Sequence, residues 1–322
     1  MNTPPAPSPV TPDDVAAARA RIAPYVRHTP LLTVGADDLP GLRWPVVLKL
    51  ELLQHSGSYK PRGAFNRVLT ERSAGNVPAA GVIAASGGNH GAALALVAQR
   101  LGVPAEIYVP STSPALKAER IRSYGATVVL GGEVFDDAYE AAVRRAAETG
   151  ALQVHPFDHV ATVAGAGTCA AELDDDLGGA VDTVLTSTGG GGLTAGAAAW
   201  FADRARVVSV EPDTSRCLAA ALEAGEPVTV SVSGLAADSL GARRVGSVNF
   251  ACAVANGVQA VTVSDGAIRD AQRALWRALR LVVEPGGAAA LAAVLSGVYR
   301  PAAGERVAVV VCGANCDPAD VL

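Results

Sequence analysis

From residue 79 onward, short apolar runs alternate with longer stretches whose apolar positions recur with a helical period. GVIAAS has the pattern of a buried strand, and GNHGAALALVAQRLG that of the helix after it. AEIYVP, TVVLGG and LQVHP repeat the strand pattern. SPALKAERIRSYG and FDDAYEAAVRRAAETG repeat the helix. Such alternation describes βαβ units and a parallel sheet.

A second block of the same kind starts near Val181. DTVLTS and ARVVSVEP are strands. GGGGLTAGAAAWFADR is a glycine turn opening a helix, and SRCLAAALEAG is a helix. Residues 226–256 are expected to form short strands and turns. DGAIRDAQRALWRALR is a strongly amphipathic helix, EPGGAAALAAVLSG a helix of small residues, and ERVAVVVCGAN a final buried strand. Before residue 79, RWPVVLKLE has the pattern of a strand and HSGSYKPRGAFNRVL of a loop entering a helix. If that early strand joins the later sheet, the chain is an α/β protein of two domains. The small one spans 79–156, and the large, discontinuous one spans 1–78 plus 157–322.

Composition narrows the function classes. Half of the 322 residues are apolar and 18% are charged, as in a globular protein. A net charge of −5 speaks against a nucleic-acid partner. Five scattered cysteines without a CxxC spacing point to a reducing, cytoplasmic setting rather than a disulfide framework. The start, MNTPPAPSPVTPDD, has neither the basic nor the apolar region of a signal peptide. It is expected to be a loose tail, with Thr11 capping a first helix ahead of Pro12. Every Ala-rich stretch is broken by Arg, Asp or Gly, so none is a membrane span. No regulatory module is expected after the final strand. Only three of the 26 basic residues are lysines, namely Lys49, Lys60 and Lys117, which confines any lysine chemistry to three places.

Four motifs stand where strands end. Ser58-Tyr59-Lys60-Pro61-Arg62-Gly63 follows the early strand. A lysine nucleophile must be neutral, and a buried apolar setting lowers its pKa. By itself Lys60 is more readily a surface charge at a helix start. Gly189, Gly190, Gly191, Gly192 and Leu193 lie between a strand and a helix. There, free backbone amides and the helix dipole favour a phosphate dianion. The ordinary alternative is a flexible turn. The loop lacks the Lys-Ser/Thr of a nucleoside triphosphate site and the spacing of a dinucleotide site. Ser86, Gly87, Gly88, Asn89 and His90 form a third junction suited to a carboxylate. His90 is more readily a packed core residue than a base. Cys312, at the end of VAVVV, can face a ring nitrogen or simply fill the core. Glu211 and Glu284 also end strands, each as a cation ligand or a cap. His155, Asp158 and His159 do not have a familiar zinc spacing.

In this order the motifs resemble one family. KLELLQHSGSYKPRGAFN, ASGGNHGAALA, HPFDHVATVAGAGTCAAEL, TGGGGLTAG, VEPDTSRC, EPGGAAALAAVL and VVCGANCDP together look like the fold-type-II pyridoxal-phosphate enzymes. The nearest likeness is to the serine/threonine dehydratases and their serine racemase relatives, over about residues 25–320. The resemblance implies a tryptophan-synthase-β-like fold of parallel-rich twisted sheets flanked by helices. It implies pyridoxal 5′-phosphate on Lys60, its phosphate on Gly189–Leu193, its ring hydroxyl on Asn89, and its ring nitrogen facing Cys312. It places the substrate carboxylate on Ser86 to His90 and implies a homodimer. The expected activity is α,β-elimination from L-threonine or L-serine to a 2-oxo acid and ammonia. The alternatives are elimination from 3-hydroxyaspartate, phenylserine or an ectoine-pathway hydroxy amino acid, racemisation, and a catalytically dead amino-acid sensor.

Two positions depart from the family pattern. Racemases carry a second serine at Gly87 as the acid/base on the opposite face, and glycine offers no proton. That favours elimination. Some relatives hold Mg or Ca on a site here represented by Glu211 and the carbonyl of Ser215, but Cys217 takes the place of a carboxylate. The cation expectation is correspondingly weakened.

Overall fold

A computed structural model of the chain describes residues 8–113, 115–133 and 135–321, so residues 1–7 of the expected tail lie outside it. The first helix, α1 (Pro12–Ile22), starts with a capping box between Thr11 and Asp14, and Pro12 stands in its first turn. Two strands follow, β1 (Leu31–Val34) and β2 (Val46–Lys49), and then α2 (Lys60–Ser73).

The next stretch is a regular βα repeat: β3 (Val82–Ala85), α3 (Asn89–Leu101), β4 (Ala105–Val109), α4 (Ala115–Ser123), β5 (Thr127–Leu130), α5 (Phe135–Thr149) and the short β6 (Leu152–Gln153). After α6 (Val160–Asp176) the repeat resumes with β7 (Thr183–Ser187), α7 (Gly192–Phe201), β8 (Arg206–Pro212) and α8 (Cys217–Ala224). The chain continues through α9 (Ala237–Leu240), α10 (Ser247–Ala255), β9 (Gln259–Val263), α11 (Asp265–Leu279), α12 (Pro285–Leu295) and β10 (Val307–Val310).

Two sheets result. Four parallel strands run in the order β5-β4-β3-β6, and six strands run β1-β2-β10-β7-β8-β9, with only β1 antiparallel. This is the parallel-rich α/β class read from the sequence, and β2 does join the later sheet. Every residue of β3, β7 and β10 is buried, because helices cover both faces and leave no reason for alternation. One face of the six-stranded sheet packs on α11 and α12, where Val208, Ile268, Leu275 and Leu291 meet. Its other face packs on α7 and α8 through Val184, Leu193, Val207 and Leu218. Beside the four-stranded sheet, Phe65, Val68, Val82 and Leu94 close a core with α2 and α3.

The strand orders fix where a site can form. The β3→β4→β5 series runs one way while β6 lies on the other side of β3. Likewise β7→β8→β9 runs one way while β10 lies on the other side of β7. Loops part company at such switch points and leave a crevice at the carboxyl ends of the strands.

The sequence reading fails between residues 226 and 256. No strand forms there; α9 and α10 do, and β9 follows them. Asn249, Cys252 and Ala253 are the buried residues of α10, a spacing of three and four that faces one side of a helix. Val248, Phe250 and Val254 have strand propensity, and packing overrides it.

Candidate active site

Lys60 is delivered by the loop that leaves β2. Ser58 bridges to Gly313, and the Tyr59 amide donates to the Cys312 carbonyl at 3.1 Å, so this loop is tied to the end of β10. Helix α2 then opens on Lys60-Pro61, where proline loses no helical hydrogen bond. Two residues on, Arg62 is 1% exposed. It donates to Glu51 at 2.7 and 2.8 Å and to Glu172 at 3.1 Å. The start of α2 is therefore clamped by buried, charge-assisted bonds.

The three lysines now separate. Lys49 is fully buried on Glu172 and Asp176. Lys117 is paired with Asp238. Lys60 has no carboxylate partner among the described residues; its Nζ donates to the Pro156 carbonyl at 3.0 Å. Burial pushes its pKa down from 10.5 to about 8, against opposing charge from Cys312 and Glu284. A lysine so placed gives up its proton far more readily than a solvent-exposed one.

The tetraglycine loop faces it across the crevice. Gly189, Gly190, Gly192 and Cys312 line the same pocket as Lys60 and Asn89. Gly191 has φ +95°, a backbone that L side chains rarely adopt, and a Cβ on Gly190 would lie 2.4 Å from the Phe157 ring. Among the described residues, the amides of Gly189, Gly190 and Gly191 donate to no other backbone or side-chain group. Free amides just ahead of α7, at the positive end of the helix, have the character of an anion cradle. The loop is held from behind: Cys217 donates to the Gly189 carbonyl, and Asn249 Nδ2 donates to that of Gly190 at 2.6 Å.

Cys312 ends β10 at the floor of the pocket. Burial first, then the charge of Glu284, pushes its thiol up to about 12, so it stays neutral. Asn89, the first residue of α3, donates from Nδ2 to Glu284 Oε1 at 2.6 Å. Glu284 is 3% exposed, and burial raises its carboxyl to about 7. Ser86 Oγ accepts from the Gly88 amide at 3.3 Å, which shapes the turn into α3. These residues fit pyridoxal phosphate: an amine without a carboxylate partner among the described residues, free amides at a helix start, and a neutral thiol lining the same pocket.

Several residues singled out in the sequence have partners within the fold. The His90 ring is 3% exposed and its Nε2 lies 2.9 Å from the Val154 carbonyl. Burial and Lys60 lower its pKa to about 3, so the neutral ring donates that bond and ties α3 to the chain after β6. Glu211 caps α8, accepting from the amides of Leu218 at 2.8 Å and Ala219 at 2.7 Å. The Ser215 hydroxyl donates to the Leu240 carbonyl. Each oxygen of Glu211 thus accepts one helix amide, as the cap alternative expects. His155 and His159 accept backbone amides, as turn and helix caps. Among the described residues, His28, Glu172 and Asp176 are the one group close enough to share an ion. The Lys49 ammonium already bonds two of them.

Other residues were missed or left unplaced by sequence reasoning. Phe157 covers the glycine loop, and Ser239 and Leu240 of α9 line the pocket. No local pattern marks them, because they reach the site from a different strand end and a short helix. Ser113, on the loop after β4, lies against Gly87, its Oγ 2.7 Å from where a Cβ on Gly87 would be.

Comparison with known proteins agrees with this geometry. Residues 22–313 match the family model described as pyridoxal-phosphate dependent enzyme. The chain is 38% identical over 309 residues to the phenylserine dehydratase of Ralstonia pickettii, covering 95% of this chain and 93% of that one. It is 38% identical over 320 residues to a biosynthetic L-threonine dehydratase of Mycobacterium leprae, covering 96% and 73%. Its structure superposes on maize serine racemase with a TM-score of 0.88 at 32% identity, over 97% of this chain and 95% of that one. The chain belongs to the family of pyridoxal-phosphate dependent enzymes of fold type II.

Proposed function

We propose that the protein is a dehydratase that eliminates water from β-hydroxy amino acids, with L-threonine and L-serine as substrates. One observation carries this reading: Lys60, which among the described residues has no carboxylate partner, shares a pocket with the neutral Cys312 thiol and the glycine loop. When bound, pyridoxal phosphate supplies the electron sink that acidifies the Cα proton.

The chain's own residues do the rest. Gly189 to Leu193 hold the phosphate by backbone amides, and Lys60 is the covalent attachment point. The turn from Ser86 to Asn89 at the start of α3 orients the substrate carboxylate. Once displaced by the substrate amine, Lys60 takes the Cα proton, for which its lowered pKa suits it. The Cβ–O bond breaks and the hydroxyl leaves as water, taking up one proton that balances the one Lys60 removes from Cα. The released enamine takes up one water and yields a 2-oxo acid and ammonia. Cys312, being neutral, would be a partner for the cofactor's ring nitrogen that does not hold a proton on it, which would favour elimination over a long-lived carbanion.

Racemisation is the second reading. It is supported by the Ser113 hydroxyl, which lies beside Gly87, the position at which the racemase pattern has a serine. Phenylserine is an alternative substrate on the strength of the Ralstonia relative. We also infer a small domain over 79–156 and a large one over 1–78 plus 157–322, a division supported by the two separate sheets. A cytoplasmic homodimer completes the reading; light scattering on the purified protein tests the dimer. The five free cysteines are consistent with a reducing compartment.

The test is a panel of β-hydroxy amino acids assayed for 2-oxo acid and ammonia, with chiral analysis of the remaining substrate. Threonine or serine is expected to be turned over, and Lys60→Ala to lose both turnover and the absorbance at about 410–420 nm. Wild-type turnover by Lys60→Ala overturns the scheme, and D-amino acid as the main product installs the second reading.

A further inference from the structure

Asn89 sits in a chain of hydrogen bonds whose direction can be worked out from its ends. Arg120, on α4, bonds Asn315 Oδ1, and a guanidinium can only donate. Asn315 Nδ2 lies 2.8 Å from the Ser56 carbonyl, which can only accept. The Asn315 amide is therefore fixed, oxygen toward Arg120 and nitrogen toward Ser56. That same nitrogen lies 2.5 Å from Asn89 Oδ1, so Asn89 presents its oxygen there. Its nitrogen then faces Glu284 Oε1 at 2.6 Å. A flipped Asn89 amide would set NH2 against NH2 at Asn315 and oxygen against oxygen at Glu284. Both contacts are repulsive, so one orientation is selected.

The acceptor at the end of this chain is itself immobilised. Glu284 is the N-cap residue of α12, and a Cβ on Gly313 would lie 1.9 Å from its Oε1. The carboxyl thus fills space that only a glycine leaves. It keeps an accepting oxygen whether or not it is ionised. The two sides of the crevice both contribute: Asn89 and Arg120 follow strands of the four-stranded sheet, while Asn315 and Glu284 flank β10 of the six-stranded sheet.

We propose that Glu284, Asn315 and Arg120 are positioning residues that lock the Asn89 amide with its nitrogen toward Glu284, leaving one N–H of that nitrogen for the ring oxygen of pyridoxal phosphate. This rests on the reading above that Asn89 contacts the cofactor. The lock explains why a carboxyl is buried in the pocket without an ion-pair partner among the described residues: it serves as an acceptor for Asn89. It also couples the seating of α4 to the cofactor's hydrogen bonding, since Arg120 sets the orientation of Asn315.

The test uses purified holoenzyme and reads cofactor dissociation constant, visible absorbance and visible circular dichroism. Glu284→Leu and Asn315→Ala each remove one end of the lock. Each is expected to weaken pyridoxal-phosphate binding by about tenfold, the equivalent of one lost hydrogen bond, and to alter the visible dichroism. Glu284→Gln keeps an acceptor toward Asn89 and is expected to restore wild-type affinity and spectrum. Arg120→Met, at a half-buried position, is expected to fall between and carries the test should Glu284→Leu fail to fold. Wild-type affinity and spectrum in Glu284→Leu and Asn315→Ala, or in Arg120→Met where those do not fold, overturn the lock. So does a Glu284→Gln protein as impaired as Glu284→Leu. Lys60→Ala runs alongside: a retained visible band in that variant overturns the pocket assignment itself, separately from the lock.

Discussion

The hydroxyl oxygen of Ser113 lies 2.7 Å from the point that a Cβ on Gly87 would occupy, with Val109 Cγ1 at 3.1 Å from the same point. The space beside Gly87 is therefore not empty. A neighbouring loop already fills it with a hydroxyl, and any side chain at 87 must displace that loop. Gly87→Ser alone is expected to lose elimination without gaining racemisation. Gly87→Ser combined with Ser113→Gly restores the room and is expected to form D-serine from L-serine. Chiral chromatography of timed reactions decides between them, and D-serine from the single variant would contradict the steric account.

The lowered pKa of Lys60 has a stability signature in the cofactor-free protein. Folding disfavours the charged amine, so the penalty is full below the folded value. It fades as pH rises from about 8 toward the ordinary 10.5, because the folded chain then sheds its proton before the unfolded one does. Wild type should gain stability relative to Lys60→Met across that window. Urea midpoints of both proteins at several pH values measure the difference, and a flat difference would refute the buried-amine assignment.

Arg62 and Glu51 are 1% and 0% exposed and hold the first turn of α2 in place. Arg62→Met leaves Glu51 buried with only the Thr29 hydroxyl and is expected to cost about 3–5 kcal/mol. Arg62→Met with Glu51→Leu removes both charges and should recover much of that loss. Denaturant titration of the three variants tests the coupling; simple additivity would show that the two residues act independently.

Phe157 lies across the tetraglycine loop so closely that Gly190→Ala places a methyl 2.4 Å from its ring. The variant should lose about 1–3 kcal/mol by overpacking and bind pyridoxal phosphate more weakly. Adding Phe157→Ala relieves the overlap. A double-mutant cycle on the cofactor dissociation constant is expected to be strongly non-additive. Equal losses in the single and double variants would mean that Gly190 is needed for its backbone conformation alone.

Much of this protein was legible in its sequence, for local physical reasons. Fully buried strands and amphipathic helices have distinct periods, so the βα repeats of both sheets could be read directly. Thr11 and Pro12 marked the first helix, and glycine between strand and helix marked the anion cradle. Lys60 could be narrowed to one of three lysines, and the motif around it resembles that of the pyridoxal-phosphate enzymes. Tertiary structure adds what the motif does not state: it gives Lys49 and Lys117 carboxylates and leaves Lys60 a carbonyl. For Glu211 it adds the amides of Leu218 and Ala219, which the sequence does not place beside the carboxylate. Residues 247–255 were misjudged because burial, not propensity, makes α10 a helix. Ser113 beside Gly87 and Asn315 beside Asn89 could not be seen at all. Such pairs are set by strand order, which brings loops far apart in the chain to one crevice. Periodicity reports what each segment buries, whereas only the assembled sheets decide which charges and hydroxyls meet there.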